Sequence, residues 1–297
     1  MDPSPELLPQ VPVAPRRLPL LGHVPWMIAD FHDFIRETQR ALGPIFWIGH
    51  RPRAWMLIVT GEPGLELLRS REASAERESE LGYVFANTMM FADDDRHRRL
   101  RGSMRQPFSI KGLTATGAGE RTAEVIDARI AGWVDRRELE IMAETKSITL
   151  DVIFRLIGVP SEDLGSWRIH YQRLILGALP SPGELPGTPR WWSRRSQAWI
   201  DQGFARFVAQ TRASGVGDTL LGSMLAATAV PGQGLSPAEI EAQLRFLGLA
   251  GHETSASTMA WALLHLGCDR PRWDRLCAEA TAADDPPVGP SDLRRFP

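Results

Sequence analysis

Cysteine and lysine are both scarce in this 297-residue chain, and each scarcity excludes something. Two cysteines, Cys268 and Cys277, are too few for a disulfide scaffold at this length. Only Lys111 and Lys146 are lysines, so nearly all basic side chains are arginines, a bias from which no function follows on a solvated face. The net charge of −2, from 34 basic and 36 acidic residues, leaves no global field to hold nucleic acid, and no nucleic-acid partner is expected. No run approaches the roughly 18 uninterrupted apolar residues that a spanning helix requires. The first residues do not resemble a signal peptide, so no membrane anchor and a cytoplasmic location are expected. Proline and glycine, at 23 and 26 residues, stay well below the share that marks low complexity. What is present is the usual soluble mix, 43% hydrophobic and 24% charged, in a chain long enough for one large domain or two ordinary ones.

Residues 1–25 carry seven prolines, from Pro3 to Pro25, each fixing φ and removing an amide donor, so this segment is expected to be extended and irregular. From Trp26 to Leu42 the apolar positions fall at helical spacing, until Gly43-Pro44 stops the helix. Two β-rich runs, Ile45 to Gly49 and Ala54 to Thr60, flank His50-Arg51-Pro52-Arg53 and predict a hairpin. After Glu62 helical periodicity dominates, with breaks at Gly82, at Gly112 to Gly119, at Gly158-Val159-Pro160, and from Leu179 to Pro189. The expected fold is mainly α with a small N-terminal β-sheet, residues 26–297 forming part of a single domain.

One helix is specified with particular care. Ser236-Pro237-Ala238-Glu239 offers a Ser N-cap, Pro at the first helical position and Glu at the third, which is a capping box. The helix is expected to run to a stop at Gly267, apolar on most faces around its middle and therefore crossing the core. Yet that middle reads Ala250-Gly251-His252-Glu253-Thr254-Ser255. Gly251 costs about 1 kcal/mol relative to Ala in a helix interior, and a carboxylate beside a hydroxyl needs partners in low dielectric. Local rules broken together mark a site, because natural sequences tolerate such violations mainly where function demands them. On the hexapeptide alone two other readings stand: a water-filled seam in which Thr254 bonds back to the Ala250 carbonyl, and a zinc hydrolase opened by His252-Glu253. The second lacks its partner ligand, because Ala256 occupies the position four residues after His252.

The hexapeptide resembles the long central helix of the cytochrome P-450 family, the haem-thiolate monooxygenases: a small pair, a variable residue, an acid and a threonine. Upstream, Asp93-Asp94-Asp95-Arg96-His97-Arg98-Arg99-Leu100-Arg101, followed by Gln106-Pro107-Phe108-Ser109, is similar to the family's helix that holds the haem propionates. His97 and Arg101 match the two donor positions, and their i, i+4 spacing puts both on one helix face, where an Arg fork suits a carboxylate. Taken apart from the family, the Arg96 to Arg105 run reads more simply as a solvated basic face. Leu185-Pro186-Gly187-Thr188-Pro189, with the basic helix after it, is similar to a segment of the branch containing retinoid- and sterol-oxidising members.

The resemblance implies roles residue by residue. Ala250 and Gly251 would let haem, dioxygen and substrate approach the helix backbone, with a local opening of its hydrogen-bond ladder. Thr254 would hydrogen-bond the oxygen undergoing reduction and a water, and Glu253 would belong to the relay delivering protons for O–O cleavage. Phe85, Met89, Met90 and Phe91, within Glu80 to Phe91, would cover an apolar small-molecule substrate, although Met and Phe at such spacings are as common in ordinary cores. The implied co-substrates are O2 and electrons from a ferredoxin- or flavoprotein-type reductase.

The family's axial cysteine lies in a C-terminal loop, and its E-x-x-R helix would begin shortly after Asp292-Leu293-Arg294-Arg295-Phe296-Pro297; the 297 residues contain neither. Cys268 and Cys277 lack the loop context and are expected to be buried free thiols. The chain therefore resembles the N-terminal two-thirds or so of a cytochrome P-450, a fragment expected to be inactive alone. The alternative is a truncated non-catalytic paralogue or a haem-free helical module binding an apolar ligand.

Overall fold

The computed structural model describes residues 6, 8–49, 55–70, 82–178, 184–215, 217–228 and 234–282. The expected hairpin turn at His50 to Arg53, residues 80–81 of the substrate segment, residues 179–183 of the long break and the Asp292 to Pro297 stretch lie outside them. The chain divides into two compact units, Met1–Ser74 and Ala75–Pro297.

In the first unit helix α1 (Val24–Leu42) precedes strands β1 (Ile45–Gly49) and β2 (Trp55–Val59), and α2 (Gly61–Arg69) follows. The start of α1 falls two residues earlier than the periodicity predicts, because Pro25 supplies a preset φ in the first turn. The helix is interrupted at Asp30, whose φ of −161° is extended. The two strands pair antiparallel with Ile45 opposite Val59 and Gly49 opposite Trp55, as the two β-rich runs predict. The proline-rich segment is irregular but not idle. The Ala14 amide donates to the Trp47 carbonyl at 2.8 Å, and the Trp47 amide donates to Pro12 at 2.8 Å. Buried His23 completes the join: Nε2 lies 2.9 Å from the Ala14 carbonyl, and Nδ1 accepts the Gly49 amide at 2.9 Å. Every buried polar atom of that imidazole thus has a partner, as burial demands.

The second unit is helical throughout: α3 (Gly82–Phe85), α4 (Asp94–Arg105), α5 (Ile110–Ala115), α6 (Ala118–Ala131), α7 (Ile141–Ile157), α8 (Leu164–Ile175), α9 (Pro189–Ser214), α10 (Leu220–Thr228), α11 (Pro237–Gly267) and α12 (Arg270–Ala282). Helix α7 stops where Gly158 takes φ +111°, a left-handed cap that a side chain would strain. Helix α11 has the predicted bounds, with the Ser236 hydroxyl accepting from the Glu239 amide and the Glu239 carboxylate accepting from the Ser236 amide.

The core gathers around Trp167, whose ring lies within 4.7–6.4 Å of those of Phe154, Tyr171, Trp199, Phe204 and Phe207. Two glycines allow this packing. A Cβ at Gly203 would meet the Trp167 ring at 2.7 Å, and one at Gly248 would meet the Tyr171 ring at 2.5 Å. Only a residue without a side chain admits such approaches between helices. Among the described residues no helix is long and apolar enough to cross a membrane.

Candidate functional site

Helix α11 crosses the core in its N-terminal half, where Ile240, Leu244 and Leu247 are buried. Burial ends sooner than its apolar sequence predicts. Within Ala250–Ser255 only His252 is buried; Ala250, Gly251 and Glu253 are half-buried, and Thr254 and Ser255 are exposed. The reason is that beyond Gly248 the helix is covered on the side facing α7, while Trp261 and Leu264 point to the surface at more than half exposure. A further expectation is corrected here. The helix stays α-helical through Ala250–Ser255 with no opening of its ladder, and the Thr254 hydroxyl donates to the Ala250 carbonyl at 2.7 Å. That carbonyl's second lone pair takes the hydroxyl, so the ladder has no reason to part there.

Glu253 is held from α7. Lys146 Nζ lies 3.0 Å from one carboxylate oxygen and 3.1 Å from the other, both side chains being 37% exposed. Neighbouring His252 lies against the same carboxylate, Nδ1 to Oε1 3.7 Å, with no hydrogen bond to Nδ1 among the described residues. Burial pushes the imidazole below its ordinary pKa; Glu253 opposes this and Lys146 adds to it, so the ring is neutral at pH 7. The Thr149 hydroxyl of α7 donates to the His252 carbonyl at 3.1 Å, tying the two helices at this level. A Cβ at Gly251 would meet only Ile153 of α7, at 3.8 Å, which is ordinary contact.

The basic run forms α4, and its arginines divide by function. Arg96 donates to Asn87, Arg98 pairs with Asp95 on the surface, and Arg99 reaches Glu239 with both terminal nitrogens, at 3.2 and 2.5 Å. Arg99 thereby ties α4 to the capped start of α11 and holds Glu239 at a pKa of about 2, the Arg99 hydrogen bond being the largest cause. A solvated basic face describes only part of this helix. His97 is half-buried beside a cavity of about 290 Å³ that Met89, Met90, Ala92, Asp93 and Asp94 also line. Arg101 is exposed and makes no ion pair with another described residue. No hydrogen bond or ion pair among the described residues links His97 or Arg101 to Glu253 or Thr254.

The four candidate substrate residues separate. Phe85 is a core residue, stacked on Phe91 at 5.4 Å and edge-on to Phe246 at 6.3 Å. Met89 and Phe91 pack against that core, whereas Met90 is half exposed. The segment is positioned by polar side chains of α11 that belong to no motif of the sequence. Fully buried Gln243 donates to the Asn87 carbonyl at 3.0 Å and accepts from the Met89 amide at 3.3 Å. Arg245 donates to the Val84 carbonyl at 2.9 Å and pairs with Asp201 of α9. Lys146 was open to detection, being one of only two lysines; Gln243 and Arg245 sit in an apolar stretch where polar residues imply a buried partner. The two cysteines are both exposed, at the C-cap of α11 and on α12, because α12 presents no buried face among the described residues.

No protein-family model matches the chain. It is 33% identical over 288 residues, 97% of its length, to a protein named cytochrome P450 BJ-4 homolog from Sinorhizobium fredii, and equally to cytochrome P450 BJ-4 from Bradyrhizobium diazoefficiens. The chain spans 64% of the length of each of these relatives. Among solved structures it superposes on the retinoic acid-bound cyanobacterial CYP120A1 with a TM-score of 0.82 at 21% identity, covering 97% of this chain and 67% of that one. The chain is a homologue of the cytochromes P450 and has their fold over the part of the molecule that it spans.

Proposed function

We propose that these residues form the substrate and proton-delivery side of a haem-dependent monooxygenase that uses O2 and electrons from a ferredoxin- or flavoprotein-type reductase to oxidise an apolar small molecule. The observation that carries the reading is the pairing of an accessible Thr254 hydroxyl with a Glu253 carboxylate held by Lys146, on a stretch of α11 with small side chains at Ala250 and Gly251. Haem, when bound, supplies the binding and reduction of dioxygen. His97 and Arg101 would hold its propionates; their donor chemistry suits carboxylates, and Arg101 is not engaged by a described acid.

Thr254 already donates its proton to Ala250, so its free lone pairs accept from water, and rotation of the hydroxyl turns it into a donor towards a ligand. Glu253 can exchange partners easily, because an ion pair this exposed is worth only about 0–1 kcal/mol. A carboxylate that leaves Lys146 for a water can take a proton from solvent and pass it towards Thr254. Met90 and Met89 beside the 290 Å³ cavity would contact an apolar substrate with soft, adaptable side chains, with Phe85 and Phe91 as the wall behind. Residues 26–297 would then be part of one domain.

The test is Thr254→Ala in an active enzyme carrying this chain: product formed per electron consumed should fall, and an unchanged ratio would reject the proton-delivery role. For the 297 residues alone, with neither exposed cysteine suited to be the axial ligand, weak haem binding and no turnover are expected. A thiolate-type carbon monoxide spectrum from that chain would overturn this.

A further inference from the structure

Helices α6, α7 and α8 line an open cavity of about 450 Å³ that carries four arginines, unlike the cavity beside α4. Three arginines line one side, Arg129, Arg155 and Arg168, and they share two carboxylates unequally. Asp151 is nearly buried and takes both Arg129, at 2.7 Å, and Arg168, whose Nε lies 3.2 Å from Oδ1. Among the described residues Arg155 has only Glu124, 3.9 Å away with a side chain 69% exposed, a pair too open and too long to neutralise it. The fourth arginine, Arg136, pairs with Glu144, which also accepts from Trp133. Positive charge is therefore in excess on the Arg155 and Arg168 side.

A second observation indicates the kind of anion. Although Arg168 Nε and Asp151 Oδ1 are close, they are not aligned as donor and acceptor, and both atoms are buried with no hydrogen-bond partner among the described residues. A buried donor and a buried acceptor that lie side by side without a hydrogen bond are each costly. A group that both accepts and donates would satisfy the two together. A carboxylate or a sulfate only accepts; a singly protonated phosphate accepts through its bare oxygens and donates through its hydroxyl. A water could do the same, but at roughly 30 Å³ it fills little of this space and brings no charge to answer the arginines. Trp133, Val125 and Leu164 also line the cavity and offer apolar surface to an organic body.

We propose that this cavity binds a phosphomonoester, its phosphate held by Arg155, Arg168 and Arg129 with its hydroxyl on Asp151, and its organic part against Trp133. None of His97, Arg101, Glu253 and Thr254 lines this cavity.

The purified 297-residue chain is titrated calorimetrically with phenyl phosphate, orthophosphate and sulfate at low ionic strength and about pH 6, where phosphomonoesters are near half protonated. Saturable binding of phenyl phosphate is expected, tighter than orthophosphate and much tighter than sulfate. Arg155→Gln, which removes a side chain with almost no structural partner, should weaken it about tenfold, as the loss of one charge-assisted hydrogen bond predicts. Arg168→Gln should do at least as much, with circular dichroism to confirm that the helices persist. Absence of saturable binding, or an affinity unaffected by Arg155→Gln, would overturn the site. Equal affinities for phenyl phosphate and orthophosphate would overturn the organic part in favour of free phosphate, and equal affinity for sulfate would overturn the role of Asp151.

Discussion

Replacing Glu239 by Gln isolates the contact that joins α4, with His97 and Arg101, to the start of α11. Gln can still occupy the third position of a capping box, so the cap on Ser236 is kept while the charge facing Arg99 is removed. The fall of the carboxylate pKa from 4.5 to about 2 corresponds to roughly 3 kcal/mol of preference for the ionised form. Arg99 is 36% exposed, so solvent screens part of this, and about 1–2 kcal/mol of stability is expected to depend on the pair. The sign follows from proton linkage. Because the folded pKa lies below the unfolded one, the unfolded chain binds more protons between those values. The contribution is complete above about pH 4.5 and vanishes as the pH falls towards 2. Urea denaturation followed by circular dichroism should show E239Q less stable than the parent by that amount at pH 7. The difference should shrink as the pH is taken down through about 3. A variant within about 0.3 kcal/mol of the parent at pH 7, or a difference independent of pH, would refute the argument.

Two glycines of α11 three residues apart should respond oppositely to alanine. Gly248→Ala drives a Cβ to 2.5 Å from the rigid Tyr171 ring and should destabilise by about 1–3 kcal/mol, whereas Gly251→Ala meets only Ile153 at 3.8 Å and should gain up to about 1 kcal/mol of helix propensity, both read from thermal denaturation. Gln243→Leu leaves the Asn87 carbonyl and Met89 amide without their buried partner, and hydrogen exchange at Met89 should accelerate well beyond that of amides in α7.

Local chemistry made much of this molecule legible in its sequence. The Ser236 capping box, the stop at Gly267, the paired strands after Gly43-Pro44 and the left-handed cap at Gly158 each depend on a few adjacent residues whose conformational preferences agree. His97 with Arg101, and Glu253 with Thr254, could be chosen because spacing on one helix is fixed at 3.6 residues per turn. What spacing cannot supply is the partner from another helix. That Lys146 holds Glu253, that Arg99 belongs to Glu239 rather than to solvent, and that Gln243 and Arg245 pin the segment carrying Phe85 and Met89 depend on packing between residues more than a hundred positions apart. Burial escapes the local pattern for the same reason. An apolar stretch says that a face can be covered, but only the neighbouring helices decide how far along α11 the cover extends, and it left Thr254, Trp261 and both cysteines at the surface. The sequence by itself determined the elements, their ends and the candidate residues, because these are set by short-range sterics and hydrogen bonding. Tertiary structure alone decided which charges meet and which side chains remain open to a ligand, because those depend on three-dimensional contacts that no local pattern encodes.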